Sequence, residues 1–308
     1  MIKKPTIIIT SGARTGTTFF YKLFREILID GASFHEPDRF GIKTVPEEIE
    51  NLNRYQYDLW KIKKFGFFNI TLLKFLGKWG LLSISNNRMS NNLSIDLASK
   101  KIIKQRKKFI ESFKEKIYVE SSYNYYGLID VLPNAFENHK LLYIVRDGRD
   151  WVRSHINVGM FYNKNDFNTI FNKRITPHML KDEEYIDKWE KMDQFEKLCW
   201  SWMRINEYAI NTIKKNPYAK MFSFEKLFLG KDKYKNLNEM LDFCSSLKNY
   251  DANLDKLNGI LEKKAYKNPS NKFPHWKKWP ESYKKKFNDI CEPLMTELAY
   301  GTEKEWIK

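Results

Sequence analysis

Two short stretches hold most of the residues whose types and spacing could do chemistry. The first is Ser11-Gly-Ala-Arg-Thr-Gly-Thr-Thr18. Gly12 and Gly16 permit a tight turn that exposes backbone N–H groups, Thr17 and Thr18 add hydroxyl donors, and Arg14 adds a permanent charge with a fork of donors. At the start of a helix such a turn binds anions, because the helix dipole adds positive potential there. An ATP- or GTP-binding loop requires G-x-x-x-x-G-K-[ST]. Here three residues separate the glycines and Thr17 stands where the lysine would be, so the loop suits a single phosphate-type group better. A glycine turn with no ligand is the plain alternative.

The second stretch is Leu141-Leu-Tyr-Ile-Val-Arg-Asp-Gly-Arg-Asp-Trp-Val-Arg-Ser154. A buried strand would deliver Arg146 to its carboxyl end, where ligands sit in open α/β sheets. A helix beginning within 147–150 would place Ser154 about two turns along it. Arg146 and Ser154 could then converge on one dianionic group. The alternative is a local salt bridge from Arg146 to Asp147 or Asp150. No histidine, cysteine or carboxylate grouping has metal-ligand spacing, so no metal is expected. His139, His155, His178 and His275 read as structural or surface residues.

The elements that must position these groups follow from the hydrophobic pattern. Thr6 to Thr10 is a β-branched apolar run of the kind buried on both faces of a sheet. A helical pattern of Phe20, Leu23, Phe24, Ile27 and Leu28 follows the first loop. Further short runs at Ile117 to Glu120, Leu141 to Arg146 and Ala219 to Phe224 alternate with helical stretches, notably Trp189 to Ile213. This order predicts an α/β, P-loop-like three-layer fold: a central parallel sheet flanked by helices, plus a helical insertion. Near the end, Phe287, Ile290, Cys291, Leu294, Met295 and Leu298 share one helix face. Gly301 stands at the expected C-cap, and Pro293 should kink or divide that helix.

With no internal repeat or flexible linker, residues 1–308 read as one domain with an insertion at about 55–106. Within it, no acidic residue occurs between Asp58 and Asp96, while Lys61, Lys63, Lys64, Lys74, Lys78 and Arg88 interleave with Trp60, Phe65, Phe67, Phe68, Phe75 and Trp79. Residues 60–82 fit a pair of core-packing helices (Phe67, Phe68, Leu72 and Phe75 inward), an acceptor-binding lid, or a contact with an anionic membrane surface. The chain carries a net charge of +16, which admits a polyanionic partner, a phosphorylated cofactor or simply many solvated lysines. Its three cysteines, Cys199, Cys244 and Cys291, form no disulfide framework and point to a reducing, cytoplasmic compartment. The N-terminal apolar run is too short for a signal-peptide core, and no segment reads as a membrane span.

Together the two loops resemble the superfamily of sulfotransferases that use 3′-phosphoadenosine 5′-phosphosulfate (PAPS). In that family a loop written [PR]-[KR]-[ST]-G-[TS]-[TS] holds the 5′-phosphosulfate, and Ala13-Arg-Thr-Gly-Thr-Thr18 is similar to it. A serine eight residues after the first arginine of R-D-x-R-D holds the 3′-phosphate with that arginine, and Arg146 and Ser154 match both. The resemblance therefore implies cofactor contacts from Gly12, Ala13, Arg14, Thr15, Gly16, Thr17, Thr18, Arg146 and Ser154. The arginine at position 14 looks like the tyrosylprotein, carbohydrate and bacterial branches. Ser223-Phe-Glu-Lys-Leu227 looks like the family's R-Y-E-D-L segment, so Phe224 would stack on adenine without donating a hydrogen bond. Asn271-Lys-Phe-Pro-His-Trp-Lys277 looks like its closing loop, with Lys272 as a basic residue for the cofactor phosphates.

The resemblance implies metal-free, in-line sulfuryl transfer from PAPS to an acceptor hydroxyl, leaving adenosine 3′,5′-bisphosphate (PAP). Arg14 would stabilise charge on the leaving phosphate, and Glu36 of Phe34-His-Glu-Pro37 would be the base, with His35 and then Glu120 as further candidates. A structural ion pair with Arg39 or Arg14 is the other reading of Glu36. A carbohydrate or lipid-linked sugar is the favoured acceptor, and nucleic acid is not expected as a partner. The competing classes are a non-catalytic polyanion- or membrane-binding protein and a P-loop-type kinase.

Overall fold

A computed structural model describes residues 1–38, 52–66, 80–159, 161–170, 173–262 and 272–306. Five strands form one sheet: β1 (Thr6–Ser11), β2 (Gly31–His35), β3 (Ile117–Ser121), β4 (His139–Val145) and β5 (Ala219–Ser223). Every pairing is parallel and the spatial order is β2-β3-β1-β4-β5. The alternation of side chains along the strands sorts them into two cores. Ile7, Ile9, Val119, Leu142 and Ile144 face one side, where they meet helix α1 (Thr17–Ile27) and a later helix at Lys233–Ser245. Ile8, Tyr118, Leu141, Tyr143 and Val145 face the other. A sheet buried on both faces between helical layers is the three-layer arrangement expected from the sequence.

On the second side lie α2 (Arg54–Phe65), α3 (Leu81–Met89), α4 (Ile95–Glu111), α5 (Gly148–Val158), α6 (Gln194–Ile213) and α7 (Glu281–Glu297). Helix α4 begins inside the 55–106 interval and ends beyond it. Its Ala98, Ile102, Phe109 and Ile110 are fully buried, and Phe65 of α2 stacks on Phe109 at 3.8 Å. Phe67, Phe68, Leu72, Lys74, Phe75, Lys78 and Trp79 lie outside the described residues, as do Arg39 and Asn271.

Two helix boundaries differ from expectation. The 189–213 pattern is broken: a short 3₁₀ turn covers Trp189–Lys191, and α6 starts afresh at Gln194 behind a reciprocal Asp193/Glu196 capping box. Helix α7 runs through Pro293 undivided, and it does not cap at Gly301. Ala299 takes the left-handed conformation (φ 56°), and the Tyr300 and Ala299 N–H groups return to the carbonyls of Met295 and Thr296. That is a Schellman closure two residues before the glycine. Among the described residues no helix is long and apolar enough to cross a membrane, and the three cysteines are buried and unpaired.

Candidate anion-binding site

The sheet order decides where a ligand can sit. From β1 the chain crosses to β2 at one edge, whereas from β4 it passes to β5 at the other, and β1 and β4 are neighbours with Ser11 opposite Ile144. The crevice beyond their carboxyl ends is therefore the topological switch point. Both loops singled out in the sequence open there.

The first loop is strained. Ala13 (φ 74°), Arg14 (φ 56°) and Gly16 (φ 80°) are all left-handed, a conformation costing non-glycine residues about 1–2 kcal/mol each. Its carbonyls are drawn away from the crevice. The Trp151 indole N–H donates to Gly12 O at 3.0 Å and to Ala13 O at 2.9 Å, and Arg146 Nη1 donates to Arg14 O at 2.8 Å. The Ala13 N–H donates to Ser11 Oγ at 3.1 Å. Beyond it, the N–H groups of Arg14, Thr15, Gly16, Thr17 and Thr18 donate to no protein group among the described residues. Helix α1 begins at this point with Gly16 as N-cap, no side-chain cap and no acidic residue in its first turn. Free amides and a bare helix N-terminus in one place make an anion cradle.

The second loop brings the cations. Asp147 caps α5 by accepting from Arg149 N at 2.8 Å, and Ser154 follows two turns along. Arg14 Nε donates to Ser154 Oγ at 3.2 Å, so the two loops, distant in sequence, meet directly. Arg146 makes no ion pair with Asp147 or Asp150 among the described residues. Asp147 is instead held by Arg149 Nη2 at 2.6 Å, and Arg149 also reaches Glu303 at 2.8 Å between the rings of Trp276 and Trp306. Arg146 Nε is buried without a hydrogen-bond partner, as is Thr15 Oγ1. Burial, and then the neighbouring Arg146, lowers the Arg14 pKa from its ordinary value, although a guanidinium stays charged at neutral pH. Two like charges side by side, facing free amides and making no ion pair with a carboxylate among the described residues, are an arrangement that an anion stabilises.

Phe224 opens the short helix Phe224–Phe228, with Arg146 Cζ 4.6 Å from its ring centre. A Cβ added at Gly16 would lie 3.5 Å from the same ring, an ordinary contact, so it is the left-handed φ of 80° and not the space that calls for glycine there. Arg14, Gly16, Arg146, Ser154 and Phe224 thus form one cluster. Lys272 is exposed and makes no ion pair among the described residues. Its neighbour Phe273 is fixed to α5, with Asn157 accepting from its N–H at 2.7 Å and donating to its carbonyl at 3.2 Å.

The base candidates separate. The Ser121 carbonyl accepts from both His35 Nδ1 (2.9 Å) and Glu36 N (3.1 Å). A carbonyl only accepts, so His35 carries a proton on Nδ1, and in the neutral ring the lone pair lies on Nε2, 3.4 Å from Thr18 Oγ1. Glu36 is 3% exposed, in a left-handed turn (φ 43°). Glu120 has both oxygens engaged: Arg106 donates Nε to Oε2 at 3.1 Å and Nη2 to Oε1 at 3.0 Å, and the Tyr118 hydroxyl donates at 2.9 Å. Asp38 completes this buried network with Arg106 at 2.9 Å. Burial raises the Glu120 pKa against the pull of Arg106.

No family model matches the chain, and no curated protein matches it. Among solved structures, the chain is similar to the sulfotransferase from Alicyclobacillus acidocaldarius, at 12% identity and a TM-score of 0.43 over 99% of each chain. It is similar to the sulfotransferase domain from the curacin biosynthetic pathway, at 14% and 0.41 over 97% of this chain and 98% of that one. A Mycobacterium tuberculosis sulfotransferase gives 12% and 0.48 over 94% and 78%. All three are sulfotransferases. At such identities and scores the decision on function stays with this chain's own side chains.

Sequence reasoning missed Trp151, Ser121 and Arg149. Trp151 stood in plain view three residues before Ser154, on the adjacent face of the same helix, but nothing local says which carbonyls its N–H would find. A cavity of about 810 Å³ lies elsewhere, by the amino ends of β4 and β5. Four of its charges pair with one another, Arg88 with Asp130 and Arg204 with Asp182, each at 2.7 Å, and no site residue lines it.

Proposed function

We propose that this chain is a sulfotransferase that moves a sulfuryl group from PAPS to an acceptor hydroxyl. The observation that carries the reading is the cluster of Arg14, Arg146 and Ser154 against five unclaimed amides at the switch point. The donor set fits a ligand with two anionic groups. Amides 14–18 and Arg14 would hold the 5′ side, Arg146 (whose Nε lacks a partner) and Ser154 the 3′-phosphate, and Phe224 would lie against the adenine. PAPS supplies an activated sulfuryl group. This chain's residues position the reactants and stabilise charge, with Arg14 neutralising charge that builds on the leaving side.

His35 is the better-placed base. Ser121 fixes its tautomer and its Nε2 faces the start of α1, so it is oriented to take the acceptor's proton. Glu36, one residue on, is the second choice, and the Arg106 network removes Glu120 from contention. For the acceptor, the reading favours a hydroxyl of a carbohydrate or lipid-linked sugar.

The deciding test measures PAP against ATP with Mg²⁺ by thermal shift, followed by labelled PAPS with glycans, lipids and peptides. PAP stabilises the folded protein by mass action. Greater stabilisation by ATP with Mg²⁺ would overturn the reading in favour of a kinase. Steeply salt-dependent polyanion binding with no PAP affinity would favour the non-catalytic alternative, for which Lys100, Lys104, Lys107 and Lys108 on α4, none ion-paired among the described residues, supply a surface.

A further inference from the structure

We infer that Trp151 is a positioning residue for the anion cradle: its single indole N–H keeps the carbonyls of Gly12 and Ala13 turned away from the ligand. The inference rests on the anion-binding reading above and adds a residue to it.

The argument starts from the peptide plane. In a trans peptide the C=O of one residue and the N–H of the next point in opposite directions. Holding Ala13 O on the Trp151 side therefore aims the Arg14 N–H at the crevice, and holding Arg14 O with Arg146 aims the Thr15 N–H the same way. If either peptide flipped, a donor would be replaced by a carbonyl oxygen beside a phosphate. The left-handed Ala13 and Arg14 make such a flip the relaxed alternative. The one indole N–H, shared between the two carbonyls, opposes it.

Trp151 is itself held rigidly. It is 1% exposed, and its ring lies 3.7 Å from His155, which in turn packs at 4.5 Å on Phe161. The His155 Nδ1 donates to the Trp151 carbonyl at 2.9 Å, one turn along α5. Gly12 completes the fit, because a Cβ there would lie 3.3 Å from the indole nitrogen. Helix α5 thus offers two groups to the same ligand: Ser154 directly, and Trp151 through the backbone of the opposite loop.

The test replaces Trp151 by 3-benzothienylalanine, which keeps the shape of the indole and lacks its N–H, with Trp151→Phe as a second variant. Trp200→Phe is the control. It removes another buried indole N–H, one bonded to Asp182 at 2.7 Å and remote from the loop. Affinity for PAP and for inorganic pyrophosphate is measured by calorimetry. Both Trp151 variants should bind each ligand about tenfold more weakly, and should raise the KM for PAPS with the acceptor KM unchanged. Trp200→Phe should lower Tm and leave both affinities alone. Trp151 variants that keep wild-type affinity, or lose no more than Trp200→Phe, overturn the inference. Wild-type protein that binds pyrophosphate but not PAP removes the sulfotransferase reading, and the pyrophosphate comparison still decides the role of Trp151.

Discussion

Arg14 Nε donates to Ser154 Oγ at 3.2 Å, across 140 residues of chain. The bond makes one site of two loops that each admit an ordinary structural explanation. A glycine turn needs no ligand, and an arginine beside two aspartates needs only a salt bridge. Joined in this way, with Asp147 already taken by Arg149, they leave Arg14 and Arg146 with no carboxylate ion pair among the described residues.

The 3′-phosphate contacts are the first test. Ser154→Ala should weaken PAP by about tenfold or more, the scale of a hydrogen bond to a charged group, and adenosine 5′-phosphosulfate far less, whereas Arg146→Ala, which also releases the Arg14 carbonyl, should weaken both and PAP the more. Calorimetric titration of both nucleotides checks this. Equal losses on both ligands would show that these residues do not read the 3′-phosphate.

The base is the second. His35→Asn should retain PAP affinity and lose turnover by about 10²–10⁴-fold. Glu36→Gln, assayed in parallel, should lose less. If the order is reversed, the proton goes to Glu36 and the His35–Thr18 contact is structural.

Stability should fall in acid in part through buried histidines, of which His139 is one and His155 another. Burial depresses the His139 pKa from 6.5 to about 4, so the folded state resists a proton that the unfolded chain accepts. Above the unfolded value both states are neutral and nothing changes. As pH falls from about 6.5 toward 4 the unfolded state binds more protons, and stability is lost by something on the order of 3 kcal/mol. Denaturant melts of His139→Gln across this range should show a shallower slope than wild type.

Arg149→Ala should be severely destabilising. Arg149 is fully buried, and its removal leaves Asp147 with an uncompensated buried charge, a change of about 3–5 kcal/mol. Thermal melts would read this as a large drop in Tm. A loss comparable to that of an exposed pair such as Lys188 with Glu184 would show that water reaches the site.

The parts legible in the sequence were those fixed by local spacing. Thr6 to Ser11 alternates into two cores because a parallel strand is buried on both faces, and the eight residues from Arg146 to Ser154 set a two-turn reach along one helix. Partners chosen in three dimensions were not legible. Glu120 looked like an available carboxylate until α4 delivered Arg106 to it, and the Trp151 N–H had no addressee until β1 and β4 were known to be neighbours. The end of α7 misled for another reason. Ala299 accepts a left-handed conformation that glycine would take more easily, because the Met295 and Thr296 carbonyls reward it with two hydrogen bonds.

The clasp on Arg149 also bears on how the protein is made. A ribosome delivers the chain from the N-terminus, so the sheet, the anion loop and α5 all emerge while Glu303 and Trp306 are still to be translated or remain in the exit tunnel. Until those residues arrive, Arg149 lacks its second carboxylate and one of its two flanking rings, at the start of the helix that carries Ser154. The half of the proposed site that carries Arg146 and Ser154 is therefore completed only when residues 303–306 arrive. A nascent chain stalled short of residue 303 should already display the loop after β1, but should not yet hold the ligand with full affinity.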